Sequence, residues 1–318
     1  MPPDVVVQDR EGSQEWPLDA RRRGISGVDA GERRVNLRVH HPEALLAALD
    51  LAGHDDRRRA GDAGSGESDM ATTVTEIHDH VLVVRIDREA KRNAIDAEIT
   101  AGIDAALNRL EDDDDLWIGI ITGTSTVFSA GTDMSGTMPT SERGGQYGII
   151  KRRCPKPVIA AVEGFALGGG FEIVLSCDLV VASESARFGL PEVQRSLLPI
   201  CGGLFRGPDA LPRNIARELL LTGDPIDARR AERLGLVNLV TDDGGALDAA
   251  LALAHRICRN SPVAVRETMR FLASLDDDRE LAGWEETLVS EEVIRTADDT
   301  REGVLAFFEK REPRWTGR

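Results

Sequence analysis

The chain is short of positive charge. Its 39 Lys and Arg stand against 55 Asp and Glu, a formal net charge of −16. A phosphate-backbone partner needs a basic face, so the balance argues against nucleic acid. It leaves room for an anionic small ligand, which one or two placed cations can hold. No apolar run approaches the ~20 residues that span a bilayer, so no membrane partner is expected. The first residues, MPPDVVVQDREG, lack the basic-then-apolar order of a secretory signal, and a cytoplasmic location is expected. Cysteines are few: Cys154, Cys177, Cys201 and Cys258 are scattered, which suits a reduced setting without disulfides. Six histidines, His40, His41, His54, His78, His80 and His255, show no ligand spacing. No metal is expected; His78 and His80 flank a turn and should face solvent.

What is present suits a packed globule, with 318 residues and 41% hydrophobic content. Residues 1–69 differ in kind, with 10 Arg, no Lys, 14 acidic residues and Trp16 as the one aromatic. A short amphipathic helix fits 41–52, and the Gly, Ser and Asp content of 53–69 fits a disordered linker. Residues 1–69 are therefore expected to form a disordered extension, with Met70 a second possible start site.

Order is expected from about Val74. VLVVRI at 81–86 reads as a buried strand. A polar turn at 89–96 follows, with Asp96 a good N-cap. Ile99, Ile103, Leu107 and Leu110 then recur at helical spacing over 97–110. The five acids at 111–115 read as a solvated loop, and 117–122 as the next strand. Strand, helix and strand of these lengths imply a parallel crossover. VFSAGTDM at 127–134 follows, where a Gly among small residues exposes backbone N–H groups. Residues 135–148 read as a mobile loop over the site.

The centre of the pattern is GFALGGGFEIVLSCD at 164–178, behind the apolar strand 156–162. Phe171, Val174 and Leu175 place a helix that starts at or within Gly168–Gly170. Two local readings stand. The glycines form a tight turn with close helix–sheet packing, and Glu172 complements the helix dipole. Alternatively, unpaired N–H groups at the helix start bind an oxyanion, with Glu172 as a neighbouring acid or base. The plan repeats at strand 179–182 and FGLPE, 188–192. Such strand-end loops are where α/β architectures hold ligands.

Taken in order, KRNAI (91–95), FSAGTD (128–133), GFALGGGFE (164–172), CD (177–178) and FGLPE (188–192) closely resemble the enoyl-CoA hydratase/isomerase, or crotonase, superfamily. LLTGD (220–224), AERLGLVNLV (231–240) and EGVLAFFEKR (302–311) agree. The resemblance covers about 74–318 and leaves 1–69 unexplained. It implies an α/β fold, a crotonase-like spiral of repeated ββα units with a C-terminal helical trimerisation region. Residues 70–260 would form the core with the acyl-CoA site, and 261–318 the helical region for assembly and CoA contact. Helical stretches are read at 262–273 and 281–295, with Leu288, Val289 and Ile294 on apolar faces.

The resemblance further implies an acyl-CoA thioester as substrate, with no other cofactor, and a homo-oligomer, trimer or dimer of trimers. Two backbone N–H groups, on Thr132 and Gly169, would form the oxyanion hole; backbone donors leave the side chain at 132 free to vary. The glutamates of the family's hydratases map onto Glu172 and Glu192. One carboxylate takes a proton from water while the other, protonated, delivers one to carbon. Substrate contacts fall on Ala130, Asp133, Met134, Gly168, Pro191 and Pro199. CoA contacts fall on Lys91, Arg92 and Ala94 of the first turn, and on Phe307 and Lys310 near the C-terminus.

Departures bear on the reaction. Ile200 stands where hydratases of the family usually have Gly, still offering its N–H but narrowing the space. Phe171 stands where a small residue is common. Together these changes imply either a reshaped acyl pocket and an unusual substrate, or slowed water attack. The expected activity is enoyl-CoA hydratase. An isomerase or acyl-CoA hydrolase using one glutamate, or a non-catalytic CoA-binding member, are the alternatives.

Overall fold

The computed structural model describes residues 72–318. The extension 1–69, the helix at 41–52 and the start at Met70 lie outside the described residues. Strands β1 (Thr73–His78) and β2 (Val81–Ile86) form an antiparallel hairpin. Helix α1 (Ala97–Asp112) begins where the Asp96 carboxylate accepts from the Ile99 N–H, and buries Ile99, Ile103, Leu107 and Leu110. Then come β3 (Ile118–Thr122), β4 (Val127–Ser129) and a small ribbon, β5 (Thr140–Ser141) with β6 (Gly145–Gln146). Strands β7 (Val158–Val162) and β8 (Phe165–Leu167) lead into α2 (Gly169–Val174). Strands β9 (Leu179–Ser183) and β10 (Arg187–Gly189) lead into a 3-10 turn, Pro191–Arg195. The rest is α3 (Gly203–Ala210), α4 (Arg213–Thr222), β11 (Ile226–Asp227), α5 (Ala228–Arg233), β12 (Leu239–Thr241), α6 (Ala246–Cys258), α7 (Pro262–Thr296) and α8 (Asp298–Glu309).

The spiral is visible in the pairing. The first strand of each turn joins a six-stranded sheet, in the order β1-β2-β3-β7-β9-β12, parallel from β2 onward. The second strand joins a four-stranded sheet, β11-β10-β8-β4, in which β4, β8 and β10 run parallel. The chain crosses between sheets in a few residues. At the tightest crossing Gly164 has φ +59, and a Cβ there would lie 2.0 Å from the Thr126 carbonyl oxygen. No other residue fits that contact.

Period-two alternation divides the large sheet. Val81, Val83, Ile120, Ile159 and Val181 pack with Ala246, Ala250 and Ala254 of α6. Leu82, Val84, Ile121, Ala160 and Val180 face the inner core shared with α1 and the small sheet. Both faces are covered, as a parallel sheet requires.

The expected elements over 74–260 are present, with ends displaced by one or two residues. Three readings change. The stretches 262–273 and 281–295 are one helix, because the intervening SLDDDRE has no Gly or Pro to stop it. Residues 135–148 contain the β5–β6 ribbon; Asp104 of α1 fixes it, accepting from the Gly144 N–H (2.9 Å) and the Ser141 hydroxyl (2.8 Å). His80 is stacked on Trp117 with centroids 3.6 Å apart, and its Nδ1 lies 2.7 Å from the Asp115 carbonyl, so it is not free in solvent. No helix among the described residues is long and apolar enough to cross a membrane.

Candidate active site

The turn at 91–95 and the loop after β4 are stitched together. Asn93, left-handed and fully buried, donates from Nδ2 to the carbonyls of Val127 and Phe128 and accepts the Arg88 N–H. The Ile95 N–H donates to Gly131 (2.8 Å), and the Asp133 N–H returns to the Ile95 carbonyl (2.9 Å). This one-residue parallel bridge turns the intervening Thr132 N–H the other way. That N–H has no partner among the described residues. Gly131, at φ +101, lets the loop approach the next spiral turn: a Cβ would lie 2.9 Å from the Leu167 carbonyl oxygen and 3.3 Å from the Gly169 nitrogen.

Gly168 lies at φ 53, ψ −126, a conformation open essentially to glycine. It turns the chain from β8 into α2, where the Gly169 N–H precedes any intrahelical acceptor. The loops that carry the two N–H groups, from successive spiral turns, therefore lie against each other. Helix α2 has only six residues, so its dipole is small; the fixed direction of the N–H groups matters more.

Two carboxyls flank them. Glu172, 2% exposed, projects from α2, and its Oε1 accepts the Gly203 N–H at 3.0 Å. Glu192 follows Pro191 in the 3-10 turn, and its Oε1 would lie 2.9 Å from a Cβ on Gly168. Its Oε2 is shut off from solvent without a hydrogen-bond partner. Both carboxyls are held above the ordinary carboxylate range, by burial first; the Glu192 charge adds to the effect on Glu172. They titrate as a pair that favours retaining one proton.

The structure revises both departures. The Ile200 N–H is not available: it donates to the Leu198 carbonyl at 2.9 Å across a tight turn. The Phe171 ring packs into the core, 5.6 Å from Phe188, rather than into an acyl pocket.

The other expected contacts divide. Gly168, Pro191, Ala130 and Met134 lie in the two loops or next to a carboxyl, and Pro199 packs at the Cβ position of Gly203, 2.7 Å away. Asp133 is occupied: it accepts from the Ser135 hydroxyl, from Arg88 and from the Ser135 N–H, which hold it down at about 2. Lys91 and Arg92 are exposed beside Ala94, with side chains free of partners among the described residues. Phe307 lies under the Arg195 guanidinium, 4.6 Å from its ring centroid, where α8 packs on the 3-10 turn. Lys310 caps α8 at φ 53, exposed, and no contact joins it to the 91–95 turn. Among the described residues no three His, Cys, Asp or Glu converge as for a metal.

Residues missed from the sequence are Arg88, Asn93, Cys201 and Tyr147. Arg88 binds Asp96, Asp133 and the Ala94 carbonyl, and nothing in the sequence set it apart from the nearby Lys91 and Arg92. Tyr147, the single tyrosine of the chain, is 1% exposed and bonds the Thr132 hydroxyl at 2.6 Å. Its rarity was a usable signal.

A profile of the family described as enoyl-CoA hydratase/isomerase matches residues 76–318. The chain is 39% identical over 254 residues to mevalonyl-coenzyme A hydratase sidH of Aspergillus fumigatus, covering 74% of this chain and 91% of that one. It is 38% identical over 251 residues to enoyl-CoA hydratase EchA19 of Mycobacterium tuberculosis, covering 75% and 94%. The crystal structure of carnitinyl-CoA hydratase from Mycobacterium avium superposes with a TM-score of 0.75 at 40% identity, covering 78% of this chain and 100% of that one.

Proposed function

The chain belongs to the enoyl-CoA hydratase/isomerase family, and on that footing we propose that it is an enoyl-CoA hydratase. The substrate is a trans-2-enoyl-CoA, and the product a 3-hydroxyacyl-CoA formed by syn addition of water. The observation that carries this is the pair of buried carboxyls, Glu172 and Glu192, beside two unpartnered backbone N–H groups. Hydratase names among the relatives support the same class of reaction.

The thioester oxygen accepts from the N–H groups of Thr132 and Gly169. Charge that develops on it as water attacks meets donors already aimed and already desolvated. The ionised member of the pair takes one proton from water as the oxygen bonds to C3. The resulting thioester enolate takes a proton at C2 from the other member. One water is consumed, and the pair ends with the proton exchanged between its carboxyls. Exposed Lys91 and Arg92 are offered as cations for the CoA phosphates, which would reconcile an anionic substrate with an acidic chain.

One observation favours a second reading. With the Ile200 N–H taken by Leu198, one backbone donor for the water is missing, which suits an isomerase or hydrolase working with one glutamate. Hydration of a panel of trans-2-enoyl-CoAs decides between them. Glu172→Gln and Glu192→Gln should each lower kcat by about 100- to 10,000-fold, the range for general acid–base groups, with thioester binding retained. Full activity in either variant contradicts the two-carboxyl mechanism.

Assembly is part of the proposal. Helix α7 exposes Val263, Phe271, Leu275, Leu288, Val289 and Val293, an apolar surface that a homotrimer, or a dimer of trimers, would cover. A native mass equal to one chain contradicts it.

A further inference from the structure

We propose that Tyr147 is a positioning residue that sets the spacing of the two N–H-bearing loops, its hydroxyl holding Thr132 and its ring seated against Gly169. The hydroxyl lies 2.6 Å from Thr132 Oγ1. On the other side, a Cβ on Gly169 would stand 2.6 Å from both the Cζ and the hydroxyl oxygen of Tyr147. The phenol thus contacts both residues whose N–H groups converge. They come from different spiral turns, which the β4–β8 pairing and the close approaches of Gly131 to Leu167 and of Gly170 to Ser129 also join.

The tyrosine is itself fixed from a third place. It follows β6 at φ 55, and its N–H donates to the Pro139 carbonyl at 3.3 Å. The ribbon that carries it is tied to α1 through Asp104. At 1% exposure the side chain is enclosed by its neighbours, and it acts through Thr132 and Gly169. The Cys201 thiol and the Glu172 carboxyl face the phenol, and burial holds it well above its ordinary titration range. It therefore stays a neutral O–H, suited to a fixed hydrogen bond rather than proton transfer. A donor displaced by a fraction of an ångström from the thioester oxygen loses most of its effect on the transition state.

The inference rests on the oxyanion-hole reading; only its kinetic arm needs the hydratase reading. Tyr147→Phe keeps the ring against Gly169 and removes the O–H. Thr132→Val keeps the backbone N–H and removes the other partner. A bound 2,4-dienoyl-CoA reports carbonyl polarisation directly, because hydrogen bonds to the oxygen move its absorbance to the red. Both variants should show a smaller red shift than the wild type. They should lose about tenfold in kcat, a fraction of the loss from removing a donor outright, with KM within twofold. The double variant should lose no more than either single one, as expected of one shared interaction. A merely structural tyrosine lowers the melting temperature and leaves kcat and the red shift unchanged; that result overturns the proposal, as does additive loss in the double variant. If the wild type hydrates no enoyl-CoA, the hydratase reading fails, and the red shift still decides the role of Tyr147. Should Tyr147→Phe fail to fold, the red shift of Thr132→Val decides alone: a smaller shift supports the proposal and an unchanged one overturns it.

Discussion

The spiral and the C-terminal helices achieve their ends by opposite means. In the spiral, β3 and β7 bury all five of their residues, while α7 buries Thr287 alone among 35. Close approach determines the spiral: at Gly131, Gly164 and Gly168 the backbone or a carboxyl occupies the space a side chain would need. The C-terminal end is held by fewer contacts, such as the Thr300 hydroxyl on the Ser196 carbonyl (3.1 Å) and Arg195 over Phe307. The difference teaches where each kind of damage should appear. Changes in the spiral should fall on kcat, and changes in the helical end on KM or assembly.

After the two glutamates, the largest effect that tests this contrast is expected at Gly168. Gly168→Ala demands φ +53 of an L-residue and places its methyl 2.9 Å from Glu192 Oε1. It should lower kcat by about 100-fold, as for a displaced oxyanion donor, measured by steady-state hydration. Lys310→Ala should act differently, raising KM for enoyl-CoA about two- to fivefold with kcat unchanged. A single exposed ion pair supplies about 0.2–1 kcal/mol, and uniform binding affects KM alone. A kcat loss there comparable to that of Gly168→Ala would erase the division between the regions.

The smallest effect concerns stability. The carboxyl of Glu192 is raised in the folded chain, mainly by burial. Its contribution to stability is therefore intact below the ordinary value of 4.5 and is lost as pH rises through the raised value. Glu192→Gln should melt higher than wild type at pH 9, by roughly 2–4 °C, the shift that ~1 kcal/mol produces in a domain of this size. The gap should close at pH 5. An equal gap at both would mean that the carboxyl carries no such strain.

Much of the spiral was legible because its causes are local. A buried strand such as 158–162 is a short apolar run, and Gly168–Gly170 announces a turn before any fold is known. The family motifs then placed Thr132, Gly169, Glu172 and Glu192 at one centre. What stayed hidden depends on contacts distant in the chain. The Tyr147–Thr132 bond needs the β5–β6 ribbon, whose polar sequence read as a loop. The turn that occupies the Ile200 N–H depends on torsions, not composition. The join of two helices across 274–280 was masked by a polar stretch, which breaks an apolar pattern without breaking a helix. Phe171 faces the core because α2 turns it toward Phe188, which position in a motif did not reveal.

The most direct test is to incubate the protein with a trans-2-enoyl-CoA in deuterium oxide and locate the carbon-bound deuterium in the product by mass and NMR. Two carboxyls adding water across the double bond give a 3-hydroxyacyl-CoA with one deuterium at C2. Deuterium at C4 with no new hydroxyl, or free acid and CoA without hydration, contradicts the account and leaves one glutamate working on a different reaction.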